Sequence, residues 1–175
     1  MLVSILAGVS INRLTQKFPN HNCVRVVTNI PIIVGKGLTG ITWGGNLTKD
    51  QKQFTKKLFE NSSKIYEFTE DYLDIFLALT SSGPAIIALI IEALSDGGLS
   101  GGLPKILSEE LIMEMILGTI SLIKENQLTP SELKNLVTSP GGTTISALRV
   151  LEKKSVRSAL IESIVSASNR SKEFN

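Results

Sequence analysis

The sequence has one cysteine, one histidine and almost no surplus of charge of either sign. With Cys23 alone, a disulfide framework and a thiolate metal cage are excluded, and the composition fits a reducing cytoplasm. With His21 alone, a two-histidine metal site is excluded; its neighbours Pro19 and Asn20 place it in a loop, where a histidine is solvated. The acidic residues Glu92, Asp96, Glu109 and Glu110 lack the spacing of an oxygen cage, so no metal is expected. Eighteen basic residues against 16 acidic ones leave a net charge of +2. The longest basic runs are the pairs Lys56-Lys57 and Lys153-Lys154. Nucleic-acid binders carry a basic stripe, so no nucleic-acid partner is expected. Long apolar runs are scarce too: Ile75 to Ile91 is uncharged, but Thr80-Ser81-Ser82-Gly83-Pro84 interrupts it. A membrane span needs about 20 apolar residues, so the segment reads as a buried core helix with no membrane partner.

What is present is a 175-residue chain, 42% hydrophobic, with a mean hydropathy of +0.20. That composition excludes disorder. It is also more apolar than a solitary domain needs, which points to a buried oligomer interface. Two parts are expected, 1–69 and 70–175. In the first, Leu2 to Ala7 reads as a buried strand turning at Gly8; the eight residues from Met1 lack the preceding basic residue of a signal peptide. A domain rarely opens on an interior strand, so a segment upstream is expected. Ser10 caps a short helix carrying Ile11, Leu14 and Phe18. Arg25-Val26-Val27 is a β-branched run, Asn29-Ile30-Pro31 turns into a further apolar run, Ile32-Ile33-Val34, and Leu38 to Trp43 is another strand. Thr48 with Gln51 forms a capping box for a helix through Phe54 and Leu58, and Lys64 to Thr69 is the last strand. Strands alternating with helices predict the end of an α/β sheet with parallel strands.

After residue 70 only helices are expected: Tyr72–Leu79, Ala85–Leu94, Glu109–Glu125, Ser131–Val137, Thr144–Glu152 and Val156–Glu173. Thr129-Pro130-Ser131-Glu132 is a start signal, with threonine at the N-cap and proline at the first helical position. Asp96-Gly97-Gly98 and Gly101-Gly102-Leu103-Pro104 read as turns between helices. Ile86, Ile87, Leu89, Ile90 and Ile91 surround their helix, which must therefore be enclosed, most simply by a second copy of the chain.

The chemistry lies in the glycine-containing segments. In Thr138-Ser139-Pro140-Gly141-Gly142-Thr143-Thr144-Ile145-Ser146 a tight turn opens directly into a helix. The first turn of a helix has unpaired N–H groups and a partial positive charge, so it can hold a carboxylate or phosphate, with hydroxyls as further donors. A plain capped helix start is an equal reading on spacing alone. Asn29-Ile30-Pro31, where a strand ends, is a ligand-facing position of an α/β sheet, because ligands lie beyond the carboxyl ends of strands. Thr80 to Ala85 reads as a cap between two core helices.

Thr138-Ser139-Pro140-Gly141-Gly142-Thr143-Thr144, followed by Ala147-Leu148, Leu151-Glu152 and Arg157, resembles the signature of pyrroline-5-carboxylate reductase. Ala7-Gly8-Val9, Arg25 to Pro31, Ser82-Gly83-Pro84-Ala85, Glu92 to Gly98, Gly102-Leu103-Pro104 and Leu117-Gly118 fall in the order of that family. The resemblance implies a fold of class α/β plus all-α: the remnant of a Rossmann-like parallel sheet in 1–69, then a helical dimerisation and substrate-binding domain in 70–175. It implies reduction of L-1-pyrroline-5-carboxylate to L-proline, the last step of proline biosynthesis, with NADPH or NADH. It also implies a cytoplasmic homodimer that can assemble into a higher homo-oligomer. Ser139, Gly141, Gly142, Thr143 and Thr144 would bind the substrate, with Thr144 catalytic at the imine nitrogen. Ala7, Gly8, Thr28, Asn29 and Pro31 would lie near the nicotinamide.

The family's Gly-x-Gly-x-x-Gly turn does not occur within the 175 residues, and Gly35, Gly37 and Gly40 do not substitute for it. The chain therefore resembles an amino-terminally truncated member. Thr28 stands where the family usually has proline, Ile30 where it has threonine, Ile86 where it often has tyrosine, and Glu114 where it often has glutamine. A competing expectation is a non-catalytic helical dimerisation module. A hydroxy-acid dehydrogenase of similar architecture is disfavoured, because no lysine lies within Thr80–Leu94 or Thr138–Arg149.

Overall fold

The computed structural model of the chain describes residues 1–6 and 8–173. It separates into two compact units, one of Met1–Pro84 together with the residues from Ile161 onward, the other of Ala85–Leu160. The elements, in chain order, are β1 (Leu2–Ser4), α1 (Ile11–Lys17), β2 (Cys23–Thr28), a 3-10 turn (Ile30–Val34), β3 (Gly37–Trp43), α2 (Lys49–Lys57) and β4 (Ser63–Glu67). They continue with α3 (Glu70–Thr80), α4 (Gly83–Ser100), α5 (Lys105–Glu125), α6 (Pro130–Leu136), α7 (Thr143–Lys153) and α8 (Val156–Lys172).

In the first unit the four strands stand in the order β1-β2-β3-β4. β1 pairs with β2 in parallel, and β3 with β4 in parallel, as expected. The β2–β3 pair departs from that expectation: it is antiparallel, with Thr28 opposite Thr39 and Val24 opposite Trp43. The reason is the length of the link. Residues 29–36 are too few for a parallel crossover, which takes a dozen or more, so the chain must fold back. The run Ile32-Ile33-Val34 is not extended but lies in the 3-10 turn, which Pro31 favours by fixing φ in its first turn. β1 is shorter than Leu2 to Ala7 and sits at one end of the strand order among the described residues, with Ile5 and Leu6 exposed.

Alternation along β2 builds two cores. Val24, Val26 and Ile41 gather Val3, Trp43, Leu47, Phe59 and Ile65. Val27 meets Leu73 and Phe76 of α3, with Leu38, Tyr66, Phe68 and Leu77 around them. Arg25 shares the side-chain phase of Val27 and is fully buried, which its place in a β-branched run does not announce. Its guanidinium reaches Glu70 of α3 at 3.0 Å. Glu70 also accepts the backbone N–H of Ile11, the first residue of α1, at 2.6 Å. Ser10 caps α1 through the N–H of Arg13, and both arms of the Thr48–Gln51 capping box are formed. Phe54 and Leu58 are nevertheless exposed, and Thr55 is the buried residue of α2. Cys23 is a buried free thiol in the core, as expected.

The second unit is helical. α4 runs through Asp96-Gly97-Gly98, so the turn expected there falls instead at Gly101-Gly102. Packing explains the two glycines inside the helix only in part. A Cβ on Gly98 would lie 2.1 Å from Ser108 Oγ, so glycine is what allows α4 and α5 to approach. Ser108 Oγ then donates to the carbonyl of Ser95 at 2.8 Å. Glycine 97 meets nothing, and the structure gives no reason for it. Within one chain the apolar girdle of α4 is not enclosed, for Leu89 remains 64% and Ile87 49% exposed. α5 likewise exposes Leu111, Met113, Leu117 and Ile120. The stretch Glu70–Ser100 is long and apolar enough to cross a membrane by length and composition, with a break at Ser81-Ser82.

Candidate functional site

The helix start singled out in the sequence is assembled by local rules. Thr129 and Glu132 exchange both bonds of a capping box, so α6 begins at Pro130. The Thr129 backbone N–H, and after it the Thr129 hydroxyl, donate to the Glu132 carboxylate and hold its pKa below the ordinary value. After α6, Thr138 Oγ1 donates to the Lys134 carbonyl at 2.6 Å, and the chain turns through Ser139-Pro140-Gly141. Gly141 has φ +69°, a left-handed conformation that favours glycine. Gly142 donates its N–H to the Ser139 carbonyl at 3.1 Å and serves as the N-cap of α7. A Cβ on Gly142 would lie 2.4 Å from Ser139 Oγ, so the serine hydroxyl occupies the space that the missing side chain leaves.

The first intrahelical bond of α7 runs from the Ser146 N–H to the Gly142 carbonyl. The N–H groups of Thr143, Thr144 and Ile145 therefore precede the ladder, and no side chain caps them. Ser139, Gly141 and Thr143 are exposed, and Gly142 and Thr144 are half-buried. One turn thus gathers all five expected substrate residues around an uncapped helix start, with three hydroxyls beside three free N–H groups. Such a start attracts an anion. Beside it lies a groove of about 740 Å³ not foreseen from the sequence, to which Lys134, Arg149 and Lys153 bring positive charge beside Thr138 and Ser146, with the Glu152 carboxylate also on its lining. The legible signal was the i, i+4 spacing of Arg149 and Lys153 on one helix face.

In the first unit, β1 and β2 are parallel and leave the sheet on the same side. Gly8 follows β1, and Thr28, Asn29 and Pro31 close β2, so these turns share one edge of the sheet. Ala7 lies outside the described residues. Thr28 is half-buried and accepts a hydrogen bond from Thr39 Oγ1 at 3.2 Å. Asn29 is buried, whereas Ile30, Ile33 and Val34 of the 3-10 turn present an exposed apolar face. His21 is exposed, and among the described residues no group of His, Cys, Asp and Glu is arranged to hold a metal.

A family profile described as pyrroline-5-carboxylate reductase dimerisation matches residues 70–174. The chain belongs to the pyrroline-5-carboxylate reductase family. It is 43% identical over 174 residues to the pyrroline-5-carboxylate reductase of Synechocystis sp., covering 99% of this chain and 65% of that protein. It is 38% identical to the enzyme of Glycine max, covering 100% of this chain and 64% of the relative. The crystal structure of the Plasmodium falciparum pyrroline carboxylate reductase with NADP bound superposes with a TM-score of 0.95 at 31% identity, over 99% of this chain and 71% of that one. The chain thus spans about two thirds of the length of the curated relatives it matches. The family bears out the fold class: a small mixed sheet, the Rossmann-like portion, followed by helices. The apolar stretch Glu70–Ser100 lies within the segment matched by the reductase dimerisation profile.

Proposed function

We propose that the chain is a reductase of L-1-pyrroline-5-carboxylate, forming L-proline with NADPH or NADH in the last step of proline biosynthesis, as a cytoplasmic homodimer that can assemble further. The observation that carries this reading is the uncapped start of α7, in a chain of this family. The N–H groups of Thr143, Thr144 and Ile145, with Ser139 Oγ, match the needs of a substrate carboxylate. Reduction adds a hydride at the imine carbon and a proton at the imine nitrogen, which leaves a secondary amine. Thr144 is the catalytic residue of this reading: its hydroxyl orients the imine nitrogen and relays the proton. No strongly tuned acid or base is needed, in keeping with one solvated histidine.

Bound NADPH or NADH supplies the hydride. The chain's residues fit its nicotinamide end. Thr28 ends β2, and Gly8, Asn29 and Pro31 follow the carboxyl ends of β1 and β2, where α/β sheets take their ligands; Ala7, outside the described residues, is assigned to the same end by the family resemblance alone. The exposed side chains of Ile30, Ile33 and Val34 give that edge an apolar surface suited to a planar ring. The division we infer places the cofactor with 1–69 and dimerisation and substrate with 70–175; its support is the family profile, which starts at residue 70. Compactness groups the residues differently, because Leu73 and Phe76 of α3 pack on the sheet. The homodimer is supported by the dimerisation profile and by the uncovered apolar faces of α4 and α5. Cytoplasmic residence is supported by the single unpaired thiol of Cys23.

A second reading, a non-catalytic dimerisation module, is favoured by one observation. The family profile that matches, over residues 70–174, is a dimerisation profile. A stopped assay of the purified protein with pyrroline-5-carboxylate and NADPH decides between them. The enzyme reading expects one proline formed per NADPH oxidised. A stable dimer that neither oxidises nor binds NADPH would establish the module instead.

A further inference from the structure

Asn29 stands where β2 leaves the sheet, and its side chain is spent on the protein. The last pair of the β2–β3 ladder is Thr28 opposite Thr39. One residue on, the Leu38 N–H donates to Asn29 Oδ1 at 2.7 Å. Asn29 Nδ2 donates to the carbonyl of Thr80, the final residue of α3, at 2.9 Å. That carbonyl is one of the four that a helix leaves unpaired at its end. The partners also settle which way the amide points, since the reverse orientation would set donor against donor and acceptor against acceptor. Ser81, the next residue, donates its Oγ to the carbonyl of Thr28 at 3.3 Å. Two bonds therefore tie the turn after β2 to the carboxyl end of α3, and a third ties it to the start of β3. A short carboxamide offers its donor and its acceptor on separate atoms, as this fork requires, and Asn29 is just 7% exposed.

We infer that Asn29 is a positioning residue: its amide locks the Ile30–Val34 turn to the end of α3, so that the turn and the Ser81-Ser82 connector into α4 are ordered together. Its place at the nicotinamide rests on the proposed function; the locking does not. The side chain acts through the backbone it fixes and has little left to offer a cofactor directly. Ordering at the cofactor edge is then felt at Ser81-Ser82, within the same compact unit.

Backbone amide hydrogen exchange on the 175-residue protein without cofactor tests this. Asn29→Asp keeps an oxygen for the Leu38 N–H but sets a carboxylate against the Thr80 carbonyl. The amides of Ile32, Gly35, Ser81 and Ser82 should then exchange roughly 3- to 10-fold faster, the loss of one hydrogen bond in local opening. Leu38 should stay protected, and Val26 and Ile41 should not change. Ser81→Ala, a milder change that keeps the fold, should quicken the turn and the connector together. Acceleration of only one of the two segments, or equal acceleration at Val26 and Ile41, would overturn the coupling. If the protein also turns over, Asn29→Asp should lower kcat and leave the KM for pyrroline-5-carboxylate within about twofold, since an unchanged ground-state affinity marks a loss of positioning. An inactive protein with the expected exchange pattern would sink the proposed function and leave the locking intact.

Discussion

Arg25 Nη1 lies 3.0 Å from Glu70 Oε1, and the arginine side chain is wholly removed from water. Asp74 stands 3.9 Å from the other terminal nitrogen and takes a hydrogen bond from Ser171 of α8 at 2.8 Å. One guanidinium thus links β2 to α3, while its carboxylate partners engage the start of α1 and the last turns of α8. Arg25→Met would fill much of the volume but leave two carboxylates facing each other without their cation. Breaking a buried pair from one side costs about 3–5 kcal/mol, and urea denaturation should show a loss of that order. Glu70→Gln should cost less, because Asp74 remains and the glutamine oxygen can still accept the Ile11 N–H.

Glu67 gives the first unit a pH-dependent contact. Lys56 at 2.5 Å is the main cause of its lowered pKa, and the indole N–H of Trp43 at 2.7 Å is the second. A carboxyl depressed below its ordinary 4.5 in the folded state stabilises fully above that value and loses the contribution as pH falls through the lower one. The side chain is 45% exposed, so water screens the pair and the contribution is no more than about 1 kcal/mol. Carboxyl chemical shifts followed by NMR should place Glu67 lower in the wild type than in Trp43→Phe. Equal midpoints in the two proteins would show that the indole plays no part.

The features legible in the sequence were the local ones. Thr48 with Gln51, and Thr129 with Glu132, announce helix starts three residues ahead because both partners of a capping box lie in one turn. The Pro140-Gly141-Gly142 turn was legible for the same reason. Arg25 was not, since its partner Glu70 lies 45 residues away and a buried cation inside a β-branched run has no local mark. The antiparallel return of β3 was hidden by apolar Ile32-Ile33-Val34, which imitates a strand. Gly97 and Gly98 imitate a turn, whereas the close approach of Ser108 needs the second of them inside a helix.

Gly141 and Gly142 should separate backbone cost from site cost. At φ +69° an alanine at 141 is strained by about 1–2 kcal/mol, which thermal unfolding will register. Gly142→Ala keeps an ordinary φ of −76° but drives its Cβ to within 2.4 Å of Ser139 Oγ. The serine can rotate away, so stability should change little while affinity for a proline-like carboxylate inhibitor falls. A Gly142→Ala protein with unchanged inhibitor affinity would remove Ser139 from the anion site.

The uncovered α4 girdle sets the assembly. Sedimentation at micromolar concentration should give at least twice the chain mass of 18.9 kDa. Ile87 is 49% exposed in the single chain, so Ile87→Lys need not disturb its own unit, but in a dimer it would bury an unpaired ammonium. The variant should shift the population towards monomer or aggregate. Unaltered dimer stability in Ile87→Lys would place the interface on another face.

Thr144 carries the most specific claim about chemistry. Thr144→Val keeps the β-branched shape and the helix N–H groups, and removes only the hydroxyl. A hydrogen bond to a group gaining charge is worth about 1.5–3 kcal/mol. If that bond forms in the transition state, kcat/KM for pyrroline-5-carboxylate should fall roughly 10- to 150-fold, at about 1.4 kcal/mol per decade. Ser139→Ala acts differently, because a bond to the carboxylate exists equally before and during hydride transfer. It should raise KM with little change in kcat. Both variants should weaken a proline-like inhibitor and leave NADPH affinity nearly constant. Wild-type kcat/KM in Thr144→Val, or a defect confined to NADPH binding, would show that the start of α7 does not hold the reacting imine.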